Sequence, residues 1–374
     1  MRPALPELPL FFRALRPRAA RAFLSVLGIG AAALLVLVLL GARRSLETGV
    51  VAIAGPPDLD LWIAPRGTDN LVRASGSLPP DAPKAARAIA GVARADPVLR
   101  TFVTVEAGGR ERRHATLLAL GVRGPDGLAG PAHLVAGRRP SGLVEVALDR
   151  AAAFRLGVRL GDPVLAGGRP AIVVGLTRDT NLLATQVLFF DLAAVDDLEP
   201  ASFVAVRLVP AADASSVARQ LEGALPGTEV FTRANFVKAS LKEATSGFRP
   251  LLVLVSALGL AVATALVALL LQGLVEDRRP DVAVLLAMGS PPASLAGALV
   301  AHAARLAAAG SVAGAALVPL LALALDRLAP TVELSSHVAD AFVVLLLFVA
   351  AGAAGGLVPL ARLLRVEPVE AFRP

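Results

Sequence analysis

Ala22-Phe-Leu-Ser-Val-Leu-Gly-Ile-Gly-Ala-Ala-Ala-Leu-Leu-Val-Leu-Val-Leu-Leu-Gly-Ala42 holds a single polar side chain, Ser25, in its twenty-one residues. A helix of that length covers about 30 Å, the hydrocarbon thickness of a bilayer. The apolar core of a secretory signal is shorter, about 7–15 residues, and a small-residue cleavage site follows it. Here the run ends in Arg43 and Arg44, so it reads as an uncleaved span over 22–42.

Three further apolar runs lie in the second half, and they predict spans over 250–274, 294–325 and 341–361. The chain is 55% hydrophobic, above the roughly 45–50% of soluble domains, and the excess sits in these runs. Pro250 stands at the start of the second, where a first helical turn tolerates it. The third run contains His302 and Arg305. An arginine at mid-bilayer is costly, which places the membrane-crossing part over 306–325 and Arg305 at the interface as a snorkelling anchor. Small residues recur as Gly310-x-x-x-Gly314 and as Gly352-x-x-Gly355-Gly356, a spacing that lets helix backbones approach closely.

The net charge of +7 comes almost wholly from arginine, lysine being confined to Lys84, Lys238 and Lys242. The arginines cluster beside the apolar runs, as a positive-inside bias requires, and this argues against nucleic acid as a partner. Arg2, Arg13, Arg16, Arg18 and Arg21 precede the first span, Arg278 and Arg279 lie between the second and third, and Arg362, Arg365 and Arg373 follow the fourth. Four spans therefore put both termini in the cytoplasm, against the opposing signal of Arg43 and Arg44. Residues 1–21 read as an amphipathic surface segment, with Phe11, Phe12 and Leu15 on one face. Residues 43–249 and the loop 326–340 face outward, and 362–374 form a cytoplasmic tail.

Residues 43–249 show alternating strand patterns interleaved with short amphipathic helices, an α+β domain. The order of these elements predicts two subdomains, with 131–200 inserted into the other. The stretch 235–247, apolar at Phe236, Ala239, Leu241 and Ala244, reads as a helical stalk that extends the second span outward beside Arg44. Chemistry is sparse. Cysteine is absent, and four scattered histidines form no HExxH pattern. Asp149, Asp162, Asp179 and Asp191 read as turn carboxylates and Trp62 as a core residue. Gly28-Ile-Gly30 lies inside a span and is no nucleotide loop. A P-loop needs Gly-Lys-[Ser/Thr]. Lys84 follows Pro83, Lys238 follows Val237 and Lys242 follows Leu241, so ATP hydrolysis would fall to another polypeptide. The expectation is a non-enzymatic chain with no catalytic residue, bound cofactor or metal of its own.

One more segment stands out. Glu276, Asp277, Arg278, Arg279 and Asp281 are too polar for the bilayer. Val282, Leu285, Leu286 and Gly289 then recur at helical spacing. The run from Glu276 to Gly289 resembles the cytoplasmic loop of the FtsX-like permeases, the ABC-transporter subunits of the MacB, LolC and DevC type. There an arginine and an acidic residue precede an apolar stretch ending in Ala-x-Gly. Glu367-Pro-Val-Glu-Ala-Phe-Arg373 resembles that family's C-terminal Asp-Pro-x-Glu-Ala-Leu-Arg. The layout of one span, a large outer domain and three spans resembles the family as a whole. Pro280, Asp281 and Phe372 depart from its usual pattern.

The resemblance implies a permease subunit of the bacterial inner membrane. It would dimerise with a second permease subunit, as homodimer or heterodimer, and dock on a separate ATP-binding ABC ATPase through residues 275–293. A periplasmic adaptor is a further candidate partner. The implied work is export or extraction of a lipid, lipoprotein or hydrophobic compound. The alternative is a mechanotransmitting regulator or sensor controlling an extracytoplasmic partner.

Overall fold

The computed structural model describes residues 19–72, 76–108, 113–183, 185–195, 201–277, 284–285, 288, 291–328, 334 and 337–363. The N-terminal surface segment, most of the 275–293 loop and the C-terminal tail motif lie outside them. The chain divides into two compact units.

The first unit takes Met1–Gly41, Pro250–Ala322 and Ser336–Pro374. Its helices are parts of α1 (Ala19–Ala54), α6 (Phe248–Asp277), α7 (Pro292–Leu328) and α8 (Val338–Leu363). All four are long and apolar enough to cross a membrane. Ile29, Ala33, Val267, Leu271, Ala303 and Phe348 form its core, while Leu24, Leu254 and Leu269 are exposed. That inversion suits a lipid surround, in which apolar side chains need no burial. The helix α7 runs unbroken through His302 and Arg305.

The second unit takes Ala42–Arg249 and Leu323–Ser335. It is α+β, and four antiparallel strands run in the order β10 (Thr228–Thr232), β1 (Leu61–Pro65), β9 (Phe203–Leu208) and β2 (Val92–Ala107). With α2 (Ala82–Arg87) between β1 and β2, and α4 (Ala214–Ala224) between β9 and β10, this is a split βαβ arrangement. Leu61, Ile63, Val204 and Val206 face α2 and α4, which bury Ala82, Ala86, Val217 and Leu221. Asp213 caps α4 by accepting from the Ser215 and Ser216 amides at 3.4 and 2.9 Å.

The second half of β2 leaves this sheet and enters another. Strands β3 (Arg113–Val122), β8 (Val187–Asp191), β5 (Glu145–Asp149), β7 (Arg169–Thr177) and β6 (Pro163–Ala166) follow in sequence of pairing, and β6 pairs back onto β2. The circuit closes as a six-stranded barrel, with β4 (Leu134–Gly137) as an edge strand on β7. Leu117, Val105, Leu148, Val173 and Leu188 fill it, and α3 (Arg150–Leu156) adds Ala152, Ala153 and Leu156 from the far end of β5. The structure therefore moves the expected boundary at 131. The strands of 131–200 hydrogen-bond to β2 and β3, which precede them, and the departure point lies inside β2 near Leu99. Sixteen residues give β2 the length to serve both sheets, and a continuous strand carries no turn residues to announce the change.

Candidate functional site

The last turns of α1 and the helix α5 (Arg233–Ser246) cover the other face of the four-stranded sheet. Thr232 caps α5, accepting from the Asn235 amide at 3.3 Å. Leu46, Val50, Ile53 and Ala54 of α1 meet Phe236 of α5, with Leu241 packed against them. At the centre lies Trp62, fully buried. Its ring stacks on Phe236 at 5.0 Å and meets Phe203 edge-on at 5.8 Å. Phe203 and Phe236 close the triangle at 5.5 Å. The indole Nε1 donates to the Ala54 carbonyl at 2.8 Å, one of the carbonyls that the end of α1 leaves without an intrahelical partner. Gly55 follows α1, and a Cβ there would stand 2.9 Å from Val237 Cγ2 of α5. Pro56 and Pro57 follow and cannot continue the helix.

Arg100 lies at the edge of this joint. Its Nε donates to the Leu71 carbonyl at 2.9 Å and Nη2 to the Val72 carbonyl at 2.6 Å. Burial lowers the guanidinium pKa from its ordinary value, and the group remains a cation. Leu71 in turn donates its amide to Ser240 Oγ of α5 at 3.1 Å. Arg44 is half-buried on α1, two residues before Leu46.

A second contact holds α1 from the barrel side. At Gly49 an added Cβ would stand 2.9 Å from the Asn181 carbonyl oxygen, so only glycine lets the loop after β7 lie on the helix. That loop is pinned from beneath. Asp149, fully buried, caps α3 by accepting from the Ala151 amide at 2.8 Å and accepts from Thr180 Oγ1 at 2.6 Å. Thr180 Oγ1 lies 2.6 Å from Thr177 Oγ1. Burial pushes the Asp149 carboxyl pKa up, opposed by these hydrogen bonds. Asp162 accepts from the Arg159 amide, Asp191 from the Gly124 and Gly142 amides, and Asp179 meets His133. None of the four carboxylates is paired with another for acid–base work. Among the described residues no three His, Cys, Asp or Glu side chains gather as a metal site.

In the apolar unit the glycines meet backbone. A Cβ on Gly310 would stand 2.6 Å from Ile29 Cγ2, and one on Gly314 would strike the Gly30 carbonyl. Gly30, set aside in the sequence as no nucleotide loop, is thus the counterpart of both. Gly352 and Gly356 lie against Ala307 and Ala303 of α7, and Gly355 against the Thr264 carbonyl of α6.

Of the segment singled out for partner contact, Glu276 lies in the last turn of α6, while Val284 and Leu285 are helical. The Met288 amide donates to the Val284 carbonyl at 2.9 Å, and both side chains are exposed. Arg278, Arg279, Asp281, Val282, Leu286 and Gly289 lie outside the described residues. Sequence reading missed Gly49, Thr180 and the role of Gly30. An isolated glycine in a helical run was the one signal available for Gly49.

The model of the MacB-like periplasmic core domain matches residues 22–224, and that of the FtsX-like permease C-terminal matches residues 253–368. Among solved structures, the periplasmic region of MacB from Actinobacillus actinomycetemcomitans is similar at 15% identity and TM-score 0.38, covering 51% of this chain and 94% of that one. The extracellular domain of the noncanonic ABC-type transporter YknZ from Gram-positive bacteria is similar at 17% identity and TM-score 0.35, covering 46% and 98%. A domain of a putative permease protein from Porphyromonas gingivalis follows at 16% identity and TM-score 0.33, covering 47% and 89%. No curated protein matches the sequence.

Proposed function

The chain belongs to the FtsX-like ABC transporter permeases that carry a MacB-like periplasmic core domain, and from that premise we propose that it converts the ATP-driven motion of a separate ATPase into a change of shape in residues 43–249, outside the cytoplasm. The proposed work is export or extraction of a lipid, lipoprotein or hydrophobic compound at a bacterial inner membrane. A second permease subunit and the ATPase complete the assembly, and a periplasmic adaptor is a candidate addition. The ATPase seats on the loop 275–293, where Val282, Leu285, Leu286 and Gly289 recur in the sequence at the spacing that helix-in-groove contacts use.

The observation that carries this reading is the aromatic joint at Trp62. The helix α1 is one unbroken element from its apolar stretch to Ala54, and α5 is separated from α6 by Gly247 alone. Both reach the sheet through fully buried side chains. Helices fixed in this way can impose a displacement on the sheet, where a loop would absorb it.

The test softens a helix without touching the joint. Lys238 and Lys242 are exposed on α5. Replacing both with Gly should cost about 2 kcal/mol of helix stability in all and remove no buried contact. In the reconstituted complex, cargo movement per ATP hydrolysed should fall severalfold, with protease resistance of residues 43–249 preserved. Unchanged cargo movement would overturn the reading. Loss of partner regulation in a complex that moves no cargo would favour the mechanotransmitting regulator.

A further inference from the structure

The barrel carries an opening that the permease reading does not use. Its interior is solid at one end, where Val105 and Ala107 of β2 are buried, and opens along the same strand at Val103 and Thr101, which are half-exposed. Residues two apart on a strand share a face, so these four point into the barrel. A cavity of about 310 Å³ lies there, at the lower end of the range of small-molecule sites. Its walls include Leu99, Val103, Val146, Leu188 and Phe190, with Leu143 on the rim, 69% exposed. Gly121 makes room for the Phe190 ring, since a Cβ there would stand 2.6 Å from the ring carbon Cζ.

Beside the polar Thr101, one inward residue of the lining is a cation. Gly167 and Gly168, both at positive φ, form the two-residue turn between β6 and β7. The turn pairs Ala166 with Arg169, and Ala166 is itself paired with Val105. Paired residues share a face, so Arg169 is set on the barrel's inner side, where Ala171 and Val173 follow it. Its Nη1 donates to the Ala194 carbonyl at 2.7 Å, which holds the guanidinium at the mouth and uses one of its five N–H donors. Among the described residues the other charged side chain of the lining, Glu145, is neutralised by a bidentate pair with Arg138 at 2.7 and 2.5 Å. That pairing holds the Glu145 carboxyl below the usual carboxylate range. Among the described residues the mouth is therefore largely apolar within and cationic at its rim.

We propose that this opening is a binding site for a single-chain anionic amphiphile. The alkyl tail enters between β2, β8 and β5, and the carboxylate meets Arg169. The cavity's volume favours one chain of moderate length over a diacyl lipid. Each added methylene should tighten binding by about fourfold while room remains, and the anionic head should add an arginine-dependent increment.

The full chain in zwitterionic nanodiscs can be photolabelled with a diazirine derivative of decanoate and the adducts mapped by mass spectrometry. Adducts are expected on 99–103 and 188–195. Decanoate should compete better than hexanoate, and better than decanol by about tenfold. Arg169→Gln should remove the advantage of decanoate over decanol and leave decanol unchanged. Leu143→Glu, on an exposed rim residue with little bearing on folding, should repel decanoate alone. Val103→Phe should exclude both by filling the cavity. Nanodiscs containing an anionic diacyl lipid separate the two sources of such a ligand. Undiminished labelling supports the single-chain ligand, and strong protection by the diacyl lipid overturns it. Adducts confined to the apolar helices, or equal competition by decanoate and decanol in the unaltered chain, would also overturn the proposal.

Discussion

The two faces of the four-stranded sheet are written by alternate residues of the same strands, yet they differ in kind. Leu61 and Ile63 of β1, with Val204 and Val206 of β9, face an aliphatic core under α2 and α4. Trp62 and Phe203, one residue out of step, face α1 and α5. The helices α2 and α4 have six and eleven residues and only return the chain to the sheet. The helices α1 and α5 continue along the chain into membrane-length apolar segments. The rings are on the face that receives those segments. Aliphatic packing fills volume without fixing an angle. Stacked and edge-on rings have preferred orientations, and an indole N–H adds a directional bond. One face therefore adds stability alone, and the other adds stability and fixes the position of its helices.

The largest effects should break this comparison if it is wrong. Trp62→Ala should destabilise residues 43–249 by about 3–5 kcal/mol, and Leu221→Ala on the aliphatic face by about 2–5 kcal/mol. Denaturant titration read by protease cleavage measures both. At matched folded protein, only Trp62→Ala should also lower cargo movement per ATP. Trp62→Phe keeps a ring but loses the bond to the Ala54 carbonyl. It should cost about 1 kcal/mol beyond the lost ring volume. Equal transport by the alanine variants would leave the two faces functionally alike.

Much of this architecture was legible in sequence, and the reasons are physical. Four membrane-length helices follow from apolar runs that water cannot accommodate, and the α+β character follows from period-two and helical patterns. The helix Arg233–Ser246 shows in the apolar positions Phe236, Ala239, Leu241 and Ala244. The barrel closure does not show, because pairing of β6 with β2 is a choice between distant strands that no local pattern records. The ring triangle was hidden for the same reason: Trp62, Phe203 and Phe236 are far apart in sequence and meet only through the sheet order. The glycine motif at Gly310 and Gly314 was visible, but its counterpart Gly30 needed coordinates.

A smaller effect sharpens the comparison from the barrel side. Gly49→Val inserts a side chain where the Asn181 carbonyl would stand 2.9 Å from its Cβ. Overpacking of this kind costs about 1–3 kcal/mol. The loop at Asn181 and Leu182 should lift from α1 while the ring triangle stays intact. Hydrogen exchange at Asn181 and Leu182 should rise, with the Trp62 fluorescence spectrum unchanged. A shifted Trp62 spectrum would mean that α1 itself has moved, and that the two contacts on it are one.

The smallest effect concerns what holds that loop. Asp149→Asn keeps a side chain that caps a helix as well as aspartate does, and Asn can donate to Thr180 where Asp accepts from it. At pH 7 the exchange should alter stability by no more than about 1 kcal/mol. The pH dependence should differ more than the value at pH 7. Burial raises the Asp149 pKa in the folded protein, so on acidification the folded state takes up this proton before the unfolded chain does. Stability from this group is then fully present below the unfolded pKa and is lost as pH rises through the folded one. Asp213 and Glu145 run the other way, because hydrogen bonds hold their carboxyls low. Their contribution is present above the unfolded pKa and fades as pH falls. That fading is common to both proteins and cancels in the difference. From pH 7 to pH 4, the original chain should therefore gain on the Asp149→Asn variant in protease-read titrations. Parallel curves would show that Asp149 is solvated enough to titrate normally, and that Thr177 and Thr180 hold the loop without it.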